Sequence, residues 1–463
     1  MIGATGRRSS VTNPALWSRL AGLPGIDTAV AAFALVLSAG VFRDEFLYQW
    51  TYGTAIRQIL WLAIYLFVIV WMWRRFGYDW LLWSARHLPL MCLVMVVAFA
   101  STLWSLEPAI TFRRSLLLIA TTMVGVFLGY NFAPRALMRI LFWVLAGLLV
   151  VSAFTSVAFP EYGTVKTYRV SQTFDAWQGV FSNKNSLGTV AAVACVLFSI
   201  GTLYGRIERY VGLVLVALSL IALLMSRGAT SYVVALTGLF VASSFAIARR
   251  LRFPALVTFF YLVFGLVCAA WIATAAMDDF AGLLNRDGTL TKRTLVWSDA
   301  LEIISARPWT GYGYEAVWGK GGQTWFPDLQ TANWAAHGHN AFLDLATQVG
   351  LPVALLALAH FLIVLAASVQ AYLKHRSPST LFAASYVFMT LIANIPASSF
   401  FSQGSGSWIL FVAVSTMAMR VVDAPAPSRT SHASKRRRSD RRRLRRSSGA
   451  REPGHVADNA QIR

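Results

Sequence analysis

The chain has 463 residues, of which 57% are hydrophobic and 13% are charged. Soluble domains carry roughly 25% charged residues, so a string of soluble domains is excluded and one membrane bundle takes up nearly the whole length. The net charge of +21 does not mark a nucleic-acid partner: residues 424–463 alone hold twelve Lys/Arg against three Asp/Glu, and the other cations sit in short clusters between apolar runs.

In chain order the apolar runs lie near 24–42, 54–73, 87–104, 115–133, 140–159, 186–204, 210–226, 230–248, 253–275, 351–372, 379–397 and 405–422. Each approaches the ~20 residues that cross ~30 Å of hydrocarbon. Helices are the expected form, because a spanning backbone must satisfy its own polar groups. The reading is an all-α integral membrane protein with about 12 transmembrane helices. No clear cleavage site follows the first run, which is therefore taken as the first span. The expected organisation is an N-terminal segment 1–23, helices one to nine over 24–275, and a loop with an amphipathic helix over 276–350. Helices ten to twelve follow over 351–422, then a basic tail over 423–463. Lys435 to Arg438 and Arg441 to Arg443 can bind anionic headgroups, but a solvated, disordered tail that fixes orientation is the stronger reading.

Alternate connections carry the basic residues: Arg74, Arg75 and Arg86; Arg135 and Arg139; Arg206 and Arg209; Arg249, Arg250 and Arg252; Lys374 and Arg376. The positive-inside rule puts these, and both termini, in the cytoplasm. The opposite side then has two substantial loops, 160–185 and 276–340, the second between spans nine and ten. Cys92, Cys195 and Cys268 lie singly inside apolar runs, which fits packing and not a disulfide. No spacing suggests a metal site, and no cofactor is expected.

Positive charge is normally depleted from the outer side, yet that side collects Arg113 and Arg114 at the fourth span and Lys184 at the sixth. It also holds Arg227 in the Ser226-Arg227-Gly228 turn and Arg293 in the long loop. Together they suggest an anion site, with Arg as a bidentate clamp for phosphate oxygens. Arg113, Arg114 and Lys184 can equally snorkel to headgroups. The turn at Arg227 is too short to need a cation for solubility, which favours function there.

A second feature is His337-Gly338-His339-Asn340 before an amphipathic stretch. His337, Asn340, Asp344 and Gln348 fall on one polar stripe, and Phe342, Leu343, Ala346 and Val349 on an apolar one. A neutral histidine can accept a proton from a sugar hydroxyl; a capping or packing histidine is the plainer alternative. Trp309, Tyr312, Tyr314, Trp318, Trp325 and Trp334 suit sugar rings or a membrane-interface belt.

The run Arg293-Thr294-Leu295-Val296-Trp297, with Arg307-Pro308-Trp309 and Gly311-Tyr312-Gly313, resembles the long loop of the O-antigen ligase/polymerase family. His339-Asn340 followed by Gly350 is similar to that family's catalytic histidine motif, although Val353 stands where the family prefers Gly, Thr or Tyr. Trp104-Ser105, Arg113-Arg114-Ser115 and the stretch from Trp177 through Asn183-Lys184-Asn185 to Gly188 resemble its exopolysaccharide-production branch. The resemblance covers roughly residues 90–420. It implies a metal-independent, inverting glycosyltransferase of the bacterial inner membrane, polymerising repeat units carried on polyprenyl diphosphate at the periplasmic face. It further implies catalytic roles for His339, Arg227 and Arg293, with Lys184, Arg114, Arg113, Asn340 and His337 at the substrate. Implied partners are a polyprenyl-diphosphate-linked oligosaccharide, a glycan or lipid A-core acceptor, membrane lipids, a flippase and chain-length or export proteins. Ligation to lipid A-core is the nearest alternative function. A transporter is a further one, disfavoured because the apolar runs are mostly free of charge at their centres.

Overall fold

The computed structural model describes residues 25–41, 53–169, 172–251, 289–318, 320–331, 335 and 337–424. Its long helices are α1 (Ile26–Ser38), α2 (Gly53–Phe76), α3 (Asp79–His87), α4 (Pro89–Ala100), α5 (Pro108–Asn131) and α6 (Pro134–Ala158). A hairpin follows, β1 (Thr164–Arg169) and β2 (Gln172–Trp177), then α7 (Lys184–Leu203), α8 (Arg209–Ser226) and α9 (Ala229–Leu251). The later helices are α10 (Thr289–Ala306), α11 (Lys320–Trp325), α12 (Ala341–Val349), α13 (Leu351–His375), α14 (Pro378–Ala393) and α15 (Gly406–Asp423).

Among the described residues, eight helices are long and apolar enough to cross a membrane. A ninth span results if α3 and the helix continuing to Leu103 count together, although they bend by 98°. Pro89 explains the bend, since it has no N–H to continue the ladder from α3. α1 and α14 are apolar but shorter. Every apolar run of the sequence falls on one of these helices except 253–275, which lies outside the described residues. The mostly helical membrane fold therefore holds, and the expected twelve spans are not all represented.

Two local features differ from the sequence reading. The loop 160–185 contains a β-hairpin, with Thr164 opposite Trp177 and Arg169 opposite Gln172. α5 begins at Pro108, so Arg113 and Arg114 lie inside the helix and do not open it. Proline at the first helical position costs no hydrogen bond, which lets the helix start there.

Lipid is as apolar as leucine, so helices in a membrane associate by close packing and not by hydrophobic exclusion. Gly125 and Gly129 on α5 show how. A Cβ at Gly125 would stand 2.6 Å from the Val412 Cβ, and one at Gly129 would stand 2.4 Å from the Ala413 carbonyl oxygen. This small-xxx-small pair brings α5 onto α15. Trp408 Nε1 then donates to Thr122 Oγ1 at 2.9 Å. Arg420 donates to the Gly129 and Tyr130 carbonyls at 3.1 and 2.6 Å, closing the end of α5. Phe361, Phe400, Phe401, Trp408 and Phe411 pack as an aromatic cluster beside this seam.

Candidate active site

The glycine-rich segment from Arg307 to Trp318 is the base of the site, and backbone hydrogen bonds hold it from both sides. Tyr312 and Gly313 donate their N–H groups to the Thr347 and Gln348 carbonyls, at 3.2 and 2.8 Å. Those carbonyls end α12 and have no partner within the helix. Leu351 N–H donates to the Pro308 carbonyl at 2.8 Å. On the opposite side Leu106 N–H reaches the Tyr312 carbonyl at 3.0 Å, and Trp104 Nε1 reaches the Thr310 carbonyl at 3.0 Å. The separate Trp104-Ser105 and Gly311-Tyr312-Gly313 motifs thus meet in space.

Two glycines are required by this contact. Gly350 has φ +89°, and a Cβ on it would lie 2.2 Å from the Trp309 carbonyl oxygen. Gly313 has φ +106°, and a Cβ there would lie 2.2 Å from Ser105 Oγ. Tyr314, next to Gly313 in the chain, is fully enclosed. Its O–H donates to the Phe401 carbonyl at 2.7 Å. Burial, with the Glu315 charge adding to it, keeps that phenol well above its ordinary range, so the donor proton stays in place.

Glu315 sits at φ +60°. Its N–H donates to Gln348 Oε1 at 3.0 Å, and its carboxylate forms an ion pair with Arg114. Arg114 is therefore already half-neutralised by the chain itself, while its neighbour Arg113 is exposed.

α12 starts at Asn340, whose Oδ1 accepts from the Phe342 and Leu343 N–H groups at 3.0 and 3.1 Å. Its polar stripe faces inward: Asp344 and Gln348 are buried against the Gly313–Trp318 turn and Gly338. Amphipathicity in this helix thus serves a buried polar contact and not solvent.

The turn before the cap carries both histidines. His339 has φ +51°, its N–H donates to His337 Nδ1 at 3.3 Å, and the two rings lie 4.1 Å apart. Burial lowers the His337 value, and the nearby Arg293 charge lowers it further. His339 is pushed down to about 4 by burial, then by His337 and by Arg293. Both imidazoles are neutral near pH 7. Arg293, on α10, which packs on α12, acts on both imidazoles through its charge.

Lys184 and Arg227 lie on other elements. Arg227 caps α8 in the left-handed region, φ +51°, and the next helix starts two residues later. A Cβ at Gly188, one turn into α7, would lie 2.9 Å from Ser226 Oγ and 2.5 Å from Ser231 Oγ. The start of α7 therefore abuts the Arg227 turn. Asn183 caps α7 by accepting the Ser186 N–H at 2.9 Å. Asn183, Asn185 and Ser186 also line a cavity of about 340 Å³, walled by Leu35, Leu141, Leu145, Val193, Tyr386 and Leu410 among others.

The structure thus joins Arg293, His337, His339 and Asn340, with Arg114 linked through Glu315 and Gln348. The start of α7, which carries Lys184, lies separately against the Arg227 turn. Glu315, Asp344 and Gln348 are partners that the search for cations and histidines did not select as site residues. The signal was an acidic residue inside a glycine-aromatic run, and two polar residues on the stripe of α12. Among the described residues, no group of three or more His, Cys, Asp or Glu is arranged to hold a metal ion.

Long apolar helices, with a histidine–arginine site on the shorter helices and turns among them, define a multi-pass membrane protein. Residues 212–358, which include Arg227, Arg293 and the histidine turn, match the family model described as O-antigen ligase. Over 346 residues the chain is 26% identical to the exopolysaccharide production protein ExoQ of Rhizobium meliloti (strain 1021), covering 71% of this chain and 74% of that one. Over these spans the chain is similar to the O-antigen ligase family and to ExoQ. A chain from the solved structure described as "Structural coordination of polymerization and crosslinking by a peptidoglycan synthase complex" aligns with a TM-score of 0.40 and 18% identity. It covers 73% of this chain and 97% of its own length, and a likeness this loose carries no inference.

Proposed function

We propose that the protein is an inner-membrane glycosyltransferase that polymerises exopolysaccharide-type repeat units from polyprenyl-diphosphate carriers on the periplasmic face. The observation that carries this reading is the meeting of Arg293 with the His337–His339 turn, inside the segment that matches the O-antigen ligase family. The alternation of basic connections supports the periplasmic placement. The apolar cavity with Asn183 and Ser186 among its lining residues has the size of a ligand pocket and suits a stretch of carrier chain.

In the proposed step, an acceptor hydroxyl oxygen bonds to the anomeric carbon at the carrier-linked end of the growing glycan. The carbon–oxygen bond to the diphosphate breaks, and the diphosphate leaves with the electron pair. One in-line displacement inverts the anomeric centre. The hydroxyl proton passes to the neutral His339 imidazole, or through it to the departing phosphate. Arg293 and Arg227 stabilise the charge that grows on the diphosphate, which requires no metal. A bound diphosphate also opposes the positive field of Arg293 at His339, making the imidazole a stronger base once substrate is present.

Purified protein in detergent, given a polyprenyl-diphosphate-linked repeat unit, tests the reading because transport is impossible there. Wild type is expected to form polymer without added metal. His339→Ala is expected to lose about 10²- to 10⁴-fold in rate at unchanged yield of folded protein. Transfer only to an added lipid A-core acceptor would identify a ligase, the activity the family description points to. No transfer from a verified substrate to any acceptor would end the glycosyltransferase reading.

A further inference from the structure

Asp344 is a buried carboxyl for which the proposed transfer step has no use. It lies at 6% exposure, one turn into α12. Carboxylates are seldom retained in such places, because burial penalises their charged form. Capping does not explain it, since Asn340 already accepts the first free N–H groups of the helix. The Asp344 backbone makes an ordinary helical bond to the Asn340 carbonyl at 2.8 Å. Its side chain turns back and accepts the Gly338 N–H at 2.6 Å.

That bond falls on the residue between the two histidines. Gly338 is itself closed in: a Cβ there would lie 2.5 Å from Asp344 Oδ1 and 3.1 Å from Trp318 Cζ2. His339, next in the chain, is held in the left-handed region, which an L-residue adopts only when its surroundings impose it. The His339 N–H also turns inward, to His337 Nδ1. We infer that Asp344 is the positioning residue of this site: by accepting the Gly338 N–H, its carboxyl fixes the strained turn that presents His337 and His339. The inference rests on the transfer reading above.

The charged groups around Asp344 give the turn a pH dependence. Burial raises the carboxyl to about 7, and the Glu315 charge adds to the rise; Ser398 and Trp318 stand alongside. Glu315 is in turn paired with Arg114, and the histidines on the Gly338 side are neutral near pH 7. Asp344 is therefore uncharged below about 7. As pH rises through that value the carboxyl ionises against burial and the Glu315 charge, and the carboxylate becomes the stronger acceptor for the Gly338 N–H.

The test is the same detergent transfer assay, run across pH with Asp344→Ala, Asp344→Asn, Gly338→Ala and the double variant Gly338→Ala/Asp344→Ala. Asp344→Ala is expected to lower kcat by about ten- to a hundredfold, the range for a lost buried hydrogen bond, with KM little changed. Asp344→Asn keeps an acceptor for Gly338 and is expected to stay within about threefold of wild type, without the change of rate that ionisation of Asp344 gives wild type near pH 7. Gly338→Ala is expected to match Asp344→Ala, and the double variant to be no worse than either, because both disrupt one contact. Size-exclusion profiles and thermal midpoints show which variants are folded. If Asp344→Ala does not fold, the Asn and Gly338 variants decide. Full kcat in folded Asp344→Ala, or a folded Asp344→Asn as defective as Ala, overturns the inference. Inactive wild type would instead overturn the transfer reading itself.

Discussion

The two cation groups are held in position by different means. In the first group the histidines sit on a turn and Arg293 on α10, and the frame beside them is held by hydrogen bonds between segments remote in sequence: Ser101 to Thr111, Pro308 to Glu315, and Thr347 to Leu351. The Lys184–Arg227 group sits at helix ends. Short-range features hold it, namely the Asn183 cap, the left-handed Arg227 and the small residues around Gly188. A site wired through distant backbone fails as a unit when one contact is lost. A site at helix ends can lose a side chain and keep its frame.

Gly350→Ala breaks the comparison most severely. The new methyl meets the Trp309 carbonyl at a position that also demands positive φ, so the cost is about 3 kcal/mol or more. The thermal midpoint is expected to fall and transfer to vanish. An unchanged midpoint would show that the α12–α13 junction does not anchor the first group.

Arg293→Ala sharpens the comparison by removing the charge that α10 brings to the histidine turn. Losing a charge-assisted contact costs about 1.5–3 kcal/mol, or roughly ten- to a hundredfold in kcat/KM. The pH profile carries a second signature. His339 is held near 4 by burial first, then by His337 and by the Arg293 charge, so wild-type kcat/KM is expected to hold steady as pH falls to about 5 and to decline through about 4. Without Arg293 the imidazole protonates more easily and the acid limb moves up, while burial and His337 still hold it below the ordinary histidine value. An unmoved limb would mean that another group sets it.

Arg227→Gly has the smallest effect on the fold, and an opposite sign. Glycine adopts φ +51° without strain, which relieves about 1 kcal/mol or more. The variant is expected to be at least as stable as wild type yet impaired in transfer. A stable variant with normal output would reduce Arg227 to a helix cap.

The sequence by itself determined that this is a helical membrane protein, because hydrophobic runs of spanning length are a local property. It also singled out Arg227, Arg293, His337 and His339, since a cation on the outer side or a histidine before a polar stripe is visible one residue at a time. The start of α5 was placed about two turns too late, because Arg113 and Arg114 interrupt the hydropathy of its first turns; Pro108 marked its real start. The β-hairpin was missed because Thr164–Trp177 carries no turn signature strong enough to pair its strands. Only the tertiary structure decided how the site is assembled. Which face of α12 is buried, that Asp344 reaches Gly338, that Arg114 is paired with Glu315, and that Trp104 meets the Gly311 turn all depend on contacts between residues far apart in the chain. Such contacts follow from packing, which no local pattern encodes.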